Sequence, residues 1–395
     1  MKVLIADKLS EKAVSSLKEI GCEVIMTPDL TENDLQNNLE GVEILIVRST
    51  KVKASAIEAG KSLSLIIRAG AGVNTIDLEA AGKRGIYVAN TPGENTDAVA
   101  ELAIGLLIAA DRRIVNATQD LQKGKWRKKE YGKAQGLKGR TLGILGLGSI
   151  GQAVAERAKG LQMEVIAWSR SLTEEKAEEL GIGYCSSPEI LAREADAVSI
   201  HIASKPGTLH FIDKKFFSQM KHGAILVNAA RGEVVDTKAL KHAIKEKDLR
   251  VGLDVFDNEP TSGEDVFEDK ELAELAACTP HIGASTNQAS EAIASKVVKV
   301  VKSYMQTGKP SHAVNIREKS TGKISLVVRH YNKVGVLASV LNELREEDVN
   351  IEEMTNTIFE GGGAASCTLK LDTPPSDSTI AKLAGQANII EVSLK

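Results

Sequence analysis

Three side chains, each closing an apolar strand-like run, could carry acid–base chemistry together. Arg231 follows AILVNAA, Glu259 follows RVGLDVFDN, and His281 follows AACTP. An imidazole moves protons near neutral pH, and a carboxylate on its second ring nitrogen favours the charged ring. A guanidinium offers a planar fork to a carboxylate and positive charge toward a carbonyl oxygen. Singly, each has a plain explanation, such as a surface or core histidine or an arginine capping a loop. Together they match what hydride transfer between a nicotinamide and a secondary alcohol requires, because a proton must leave or join the oxygen.

A carrier for that hydride needs its own element, and TLGILGLGSIG (Thr141 to Gly151) has the pattern for one. A short apolar strand stops at Gly146-x-Gly148-x-x-Gly151 and runs into QAVAERAKGL, whose apolar positions recur at helical spacing. The first glycine permits a tight turn, and the second lets backbone approach a pyrophosphate. The third packs helix against strand, so the amides of Ser149, Ile150 and Gly151 meet the anion. In open α/β sheets, ligands sit beyond the carboxyl ends of the strands, where Arg231, Glu259 and His281 are expected to converge.

The elements that must position these groups alternate. KVLIAD, CEVIMT, EILIVRS, LSLIIRAG and IYVAN read as strands with helical stretches between them, so residues 1–95 predict a doubly wound parallel sheet. Residues 95–113 form a helical candidate that is apolar nearly all round, which places it between domains or subunits. The basic arm Gln122 to Lys138, with Trp126, reads as a solvated loop or as an anion-attracting arm. MEVIAWSR, ADAVSIHIA, GAILVNAA and RVGLDVFD complete a dinucleotide-binding domain over 96–285. The helix from Asn287 to Met305 is expected to pack back on the first domain, giving it residues 286–310 as well. Residues 311–322 read as a polar linker, and 323–395 as a βαββαβ ferredoxin-like module. The fold class is therefore α/β, with two Rossmann- or flavodoxin-like domains and a small C-terminal domain.

Bulk composition excludes other classes. With 50 basic and 53 acidic residues the net charge is −3, and aromatics are 3%, which argues against nucleic acid or an anionic membrane as partner. Cys22, Cys185, Cys278 and Cys367 form no CxxC and suit a reducing, cytoplasmic setting without metal. MKVLIADKLS reads as a strand and not a signal peptide, and the longest uncharged apolar run, Leu102 to Ala110, is too short to span a bilayer.

The motifs NTPGENTDAVAELAIGLL, TLGILGLGSIG, NAARGEVVD, GLDVFDNEP and TPHIGAST, in this order, resemble those of the D-isomer-specific 2-hydroxyacid dehydrogenases, and among them the phosphoglycerate dehydrogenases. The resemblance implies Arg231, Glu259 and His281 as the catalytic set. It places Asp254 near the nicotinamide amide and Ala229 and Gly283 along the cofactor. It also implies that Ala71, Gly72, Val73 and Asn74, in the loop from Ala69, hold the substrate carboxylate. A 3-phosphate is then assigned to Arg48 and Ser49, or to Lys125–Lys129 of a neighbouring subunit. The implied reaction is oxidation of 3-phospho-D-glycerate to 3-phosphohydroxypyruvate, the first step of L-serine synthesis, in a homodimer or homotetramer joined through helix 97–113. Ser169 and Arg170 stand where NAD enzymes carry Asp or Glu, so NAD comes first and NADP stays open. The C-terminal module resembles an ACT domain through His330-Tyr331-Asn332-Lys333-Val334-Gly335-Val336-Leu337. That likeness implies a serine effector on His330, Asn332 and Asn350, the alternative being a purely structural dimerisation module. Rival readings are a glyoxylate or hydroxypyruvate reductase using NADPH, and a non-catalytic NAD-sensing binding protein.

Overall fold

The structure is a computed structural model that describes residues 1–28, 30–260, 266–317, 322 and 324–395. It divides into two units, Met1–Asn315 and Ile316–Lys395. Among the described residues no helix is long and apolar enough to cross a membrane.

The chain begins with β1 (Lys2–Ile5), α1 (Glu11–Glu19), β2 (Glu23–Met26), β3 (Ile44–Val47), α2 (Ala54–Ala59), β4 (Leu65–Arg68), α3 (Leu78–Lys83) and β5 (Tyr87–Asn90). The strands form a parallel sheet in the order β2-β1-β3-β4-β5. Strands covered on both faces are apolar throughout, as ILIV in β3 is, every residue of it buried. Ser10 and Asp77 cap α1 and α3 by accepting from the amides of Ala13 and Ala80.

Next come α4 (Thr96–Arg112), α5 (Ile114–Gln122), α6 (Lys128–Tyr131), β6 (Thr141–Leu145), α7 (Ser149–Gly160), β7 (Glu164–Trp168), α8 (Glu174–Glu179), β8 (Gly183–Tyr184), α9 (Pro188–Glu194) and β9 (Ala197–Ile200). They are followed by α10 (Lys214–Gln219), β10 (Ile225–Asn228), α11 (Thr237–Lys247), β11 (Arg250–Leu253), α12 (Lys270–Leu275), β12 (Ala277–Cys278) and α13 (Asn287–Thr307). The second sheet is parallel in the order β12-β11-β10-β9-β6-β7-β8, so strand order reverses between β6 and β9. A doubly wound sheet opens its ligand crevice at that reversal.

Helix α4 buries Val99, Ala103, Leu106 and Leu107 in the core of this second half. It stops where Arg113 turns left-handed at φ 52°, and α5 continues the chain. The basic arm is thus partly helical and partly neutralised, with Arg127 on Asp120 at 3.3 Å and Lys133 on Glu130 at 3.8 Å, while Trp126 is 81% exposed. Helix α13 returns and packs Ile293, Val297, Val300 and Val301 with Val3, Ile5 and Ile44 of the first sheet.

The expected linker is only partly one. Residues 318–321 lie outside the described residues, but 312–315 bind the edge of the first sheet. Val314 N donates to Val88 O at 2.8 Å, and the Asn315 side chain both accepts from Val88 N and donates to Ile86 O. A polar segment can satisfy an exposed strand edge in this way, and composition does not distinguish that from solvation.

The C-terminal unit contains β13 (Ile324–Tyr331), α14 (Val336–Glu346), β14 (Ile351–Ile358), β15 (Ala364–Leu371), α15 (Asp377–Ala384) and β16 (Ile389–Leu394). Its antiparallel sheet runs β14-β15-β13-β16. Alternate residues of β15, namely Ala365, Cys367, Leu369 and Leu371, are buried, the period-two pattern of a sheet with one face covered by helices.

Candidate active site

The glycine turn sits at the strand-order reversal. Gly146 has φ 97°, and a Cβ there would lie 2.8 Å from the His201 carbonyl. A Cβ on Gly151 would stand 2.2 Å from the Gly146 oxygen, so the helix reaches the strand only without a side chain. Around Gly148 the space is open, and no side chain caps α7 at that residue. An uncapped helix start with room for backbone approach fits the pyrophosphate of a dinucleotide.

Two cavities flank this turn and share His201, Ile202 and Ala203. One, about 400 Å³, lies against Gly146, Gly148, Trp168, Ser169 and Arg170. The other, about 290 Å³, holds Arg68, Ala71, Gly72, Asn74, Ile150, Ala229, Arg231, Asp254, His281 and Gly283. A larger open groove of about 830 Å³ between α7, α8 and β8 holds none of these groups.

His281 and Glu259 meet directly, Nδ1 to Oε2 at 2.6 Å, which leaves the histidine's Nε2 for a ligand. Burial alone would raise the Glu259 carboxyl. The hydrogen bond and charge of His281, the Phe256 amide and the charge of Arg231 outweigh it, holding the group below the usual carboxylate value. His281 has a left-handed backbone, φ 52°, without being glycine. Asp254, 1% exposed, holds it there: its carboxylate accepts from Thr279 Oγ1 at 2.6 Å and from the amides of Ile282 and Gly283 at 2.8 Å, and its carbonyl accepts from His281 N. Asp254 thus borders the cavity, but both oxygens serve the loop that carries His281, a role its expected place beside the nicotinamide does not convey.

Arg231 extends from the end of β10 across to the first half of the unit, where a Cβ on Gly72 would lie 2.3 Å from Nη2. Among the described residues no protein acceptor meets the amides of Gly72, Val73 or Asn74, so the loop offers backbone donors beside that guanidinium. The Val73 side chain itself packs on the first core.

Several expected residues do not line either cavity. Ser149 faces the outer side of α7. Arg48 and Ser49 line neither cavity, and their amides donate to Asp7 Oδ2 at 2.6 and 3.2 Å, although the charge of Arg48 still reaches Arg68. Arg68, which the sequence reading passed over, points its guanidinium over Gly70 into the cavity, with Nε on the Arg48 carbonyl at 3.1 Å. Burial and the charges of Arg231 and Arg48 pull it down to about 10, still charged at neutral pH. The signal was present, since Arg68 closes an apolar strand as Arg231 does. His201 was also missed: burial pulls it down to about 4, and Ser199 Oγ lies 2.8 Å from its Nε2.

In the C-terminal unit one chain does not gather His330, Asn332 and Asn350. Antiparallel pairing puts His330 opposite Ala365 at one end of the sheet, while Asn350 enters β14, whose first residue pairs with Leu371 at the other. His330 is buried, its ring nitrogens on Tyr331 O at 2.8 Å and Asn356 Oδ1 at 3.3 Å.

Comparison with known proteins gives the same picture. Residues 104–283 match the family described as D-isomer specific 2-hydroxyacid dehydrogenase, NAD binding domain. The chain is 36% identical over 356 residues to a D-3-phosphoglycerate dehydrogenase of Methanocaldococcus jannaschii, covering 90% of this chain and 67% of that one. It is 42% identical over 289 residues to a glyoxylate reductase of Thermococcus litoralis, covering 71% and 86%. The crystal structure of NAD+-bound 3-phosphoglycerate dehydrogenase of Entamoeba histolytica superposes with a TM-score of 0.67 at 30% identity, over 80% of this chain and 99% of that one. The chain spans 54% to 67% of the length of the phosphoglycerate dehydrogenases of M. jannaschii, Archaeoglobus fulgidus and Mycobacterium bovis.

Proposed function

The chain belongs to the D-isomer specific 2-hydroxyacid dehydrogenases, and from that premise we propose that it oxidises 3-phospho-D-glycerate to 3-phosphohydroxypyruvate, the first step of L-serine synthesis. The observation that carries the choice is the pair of guanidiniums, Arg68 and Arg231, in one cavity with unpaired loop amides. Such a site suits a substrate with two anionic groups.

In this reading the amides of Gly72, Val73 and Asn74 with Arg231 hold the carboxylate, and Arg68 holds the phosphate. His281 Nε2 takes the hydroxyl proton, and Glu259 stabilises the imidazolium that forms. Arg231 draws electron density from the developing carbonyl oxygen. A nicotinamide dinucleotide bound along the glycine turn supplies the hydride acceptor. Steady-state rates on 3-phosphoglycerate, hydroxypyruvate and glyoxylate test the assignment. A preference for the unphosphorylated keto acids overturns it and favours the reductase reading, which the likeness to glyoxylate reductase supports.

The C-terminal βαββαβ unit serves as an ACT-type regulatory module in this proposal. Because His330 and Asn332 lie at the opposite end of the sheet from Asn350, serine would be held where two such units from different copies meet. Calorimetry with serine that shows no heat removes this part. The homo-oligomer is assigned to the outer face of α4.

A further inference from the structure

Asn90, the last residue of β5, donates through Nδ2 to the carbonyl of Ala71 at 2.6 Å. The next residue, Thr91, donates its amide to the carbonyl of Gly70 at 3.0 Å. Two successive carbonyls at the start of the loop that borders the cavity are thereby drawn to the end of β5. Asn90 is itself fixed from both sides. Arg68 pairs with it across the sheet, and its own amide donates to the His312 carbonyl at 3.3 Å. It lines neither cavity, so its side chain works behind the loop.

A trans peptide is planar, with its N–H directed opposite to its C=O. Holding the Ala71 oxygen therefore also fixes the Gly72 N–H, which points away from Asn90. That amide has no protein acceptor among the described residues, and Gly72 lines the cavity with Arg231 close by. Local sequence does not set this orientation, because Gly70 and Gly72 flank Ala71 and glycine backbone populates many conformations. The anchor has to come from a distant segment, and the Asn90 amide is the side chain that supplies it. We propose that Asn90 is a positioning residue of the substrate site, presetting the Gly72 amide as a donor to the carboxylate of a 2-hydroxy acid. The proposal rests on the reading of this loop as the carboxylate site.

Every 2-hydroxy or 2-keto acid brings the same carboxylate to the loop, so the effect does not depend on phosphate. Asn90→Ala in the full chain should raise KM about tenfold for 3-phosphoglycerate and for glyoxylate alike, with kcat within about threefold, as one weakened charge-assisted hydrogen bond would. Asn90→Asp sets a charged oxygen against the Ala71 carbonyl and should raise KM further. Asn90→Ser, too short to reach, should match alanine. Affinity for NAD+, followed by calorimetry, should stay within about twofold. Neither KM nor Kd depends on the fraction of chains that are folded, so a variant that folds incompletely still reports. A KM within about twofold of the unaltered chain in both the alanine and aspartate variants overturns the proposal, as does a parallel loss of NAD+ affinity, which would make Asn90 a general prop of the fold. Turnover of glyoxylate without 3-phosphoglycerate strikes the phosphoglycerate reading alone, and the KM for glyoxylate then decides the role of Asn90.

Discussion

A Cβ added to Gly70 would stand 1.6 Å from Nη1 of Arg68. The glycine, at φ 153°, leaves room for the guanidinium beside the loop of Ala71 to Asn74, and in the proposed function strand end and loop form one anion site. Arg68→Ala is expected to raise KM for 3-phosphoglycerate about 10- to 100-fold with a smaller change for glyoxylate, as loss of one charge-assisted contact to phosphate would. Gly70→Ala should reproduce the direction by displacing the same group. Equal loss on both substrates would remove Arg68 from phosphate binding.

Glu259 accepts from His281 Nδ1 and is held below its ordinary value of 4.5. Above that value the carboxylate is charged in folded and unfolded chains alike, and its contribution to stability is complete. The contribution is lost as pH falls through the lower folded value. In catalysis the carboxylate orients the ring and stabilises the imidazolium formed when Nε2 takes the proton, so Glu259→Gln should lower kcat about 10- to 100-fold with little change in KM. A kcat within about twofold of the unaltered chain would show that the contact is structural only.

Asp254 and Thr279 hold the left-handed His281 through a 2.6 Å hydrogen bond and two amide contacts. Thr279→Val leaves the buried carboxylate one donor short and should cost about 1–3 kcal/mol in denaturant unfolding. Thr279→Ser, which restores the hydroxyl, should recover most of it. If the mislaid loop also misplaces His281, kcat falls more than KM rises, and the serine variant recovers both.

His201 is neutral in the folded chain because burial lowers it from 6.5 to about 4. The unfolded chain therefore binds more protons between those two values, and stability decreases as pH drops from 6.5 toward 4. The total loss is on the order of a few kcal/mol. His201→Gln should flatten that part of the stability curve, as followed by denaturant midpoints across the range. An unchanged slope would assign the acid sensitivity elsewhere.

What the sequence determined by itself is local or periodic. Strand runs such as ILIV, the glycine spacing 146-148-151 and the strand-end positions of Arg231 and His281 are visible because backbone geometry and burial act on neighbouring residues. Tertiary structure decided what depends on residues far apart in the chain. It turned Asp7 onto the amides of Arg48 and Ser49 and put Arg68 on the cavity wall, contacts that no spacing records. It committed Asp254 to the loop of Thr279 to Gly283 and set Asn350 at the far sheet end from His330. Each outcome follows from which partner reaches a charge first in three dimensions, since a buried polar group must be satisfied by whichever segment packing brings within hydrogen-bond distance.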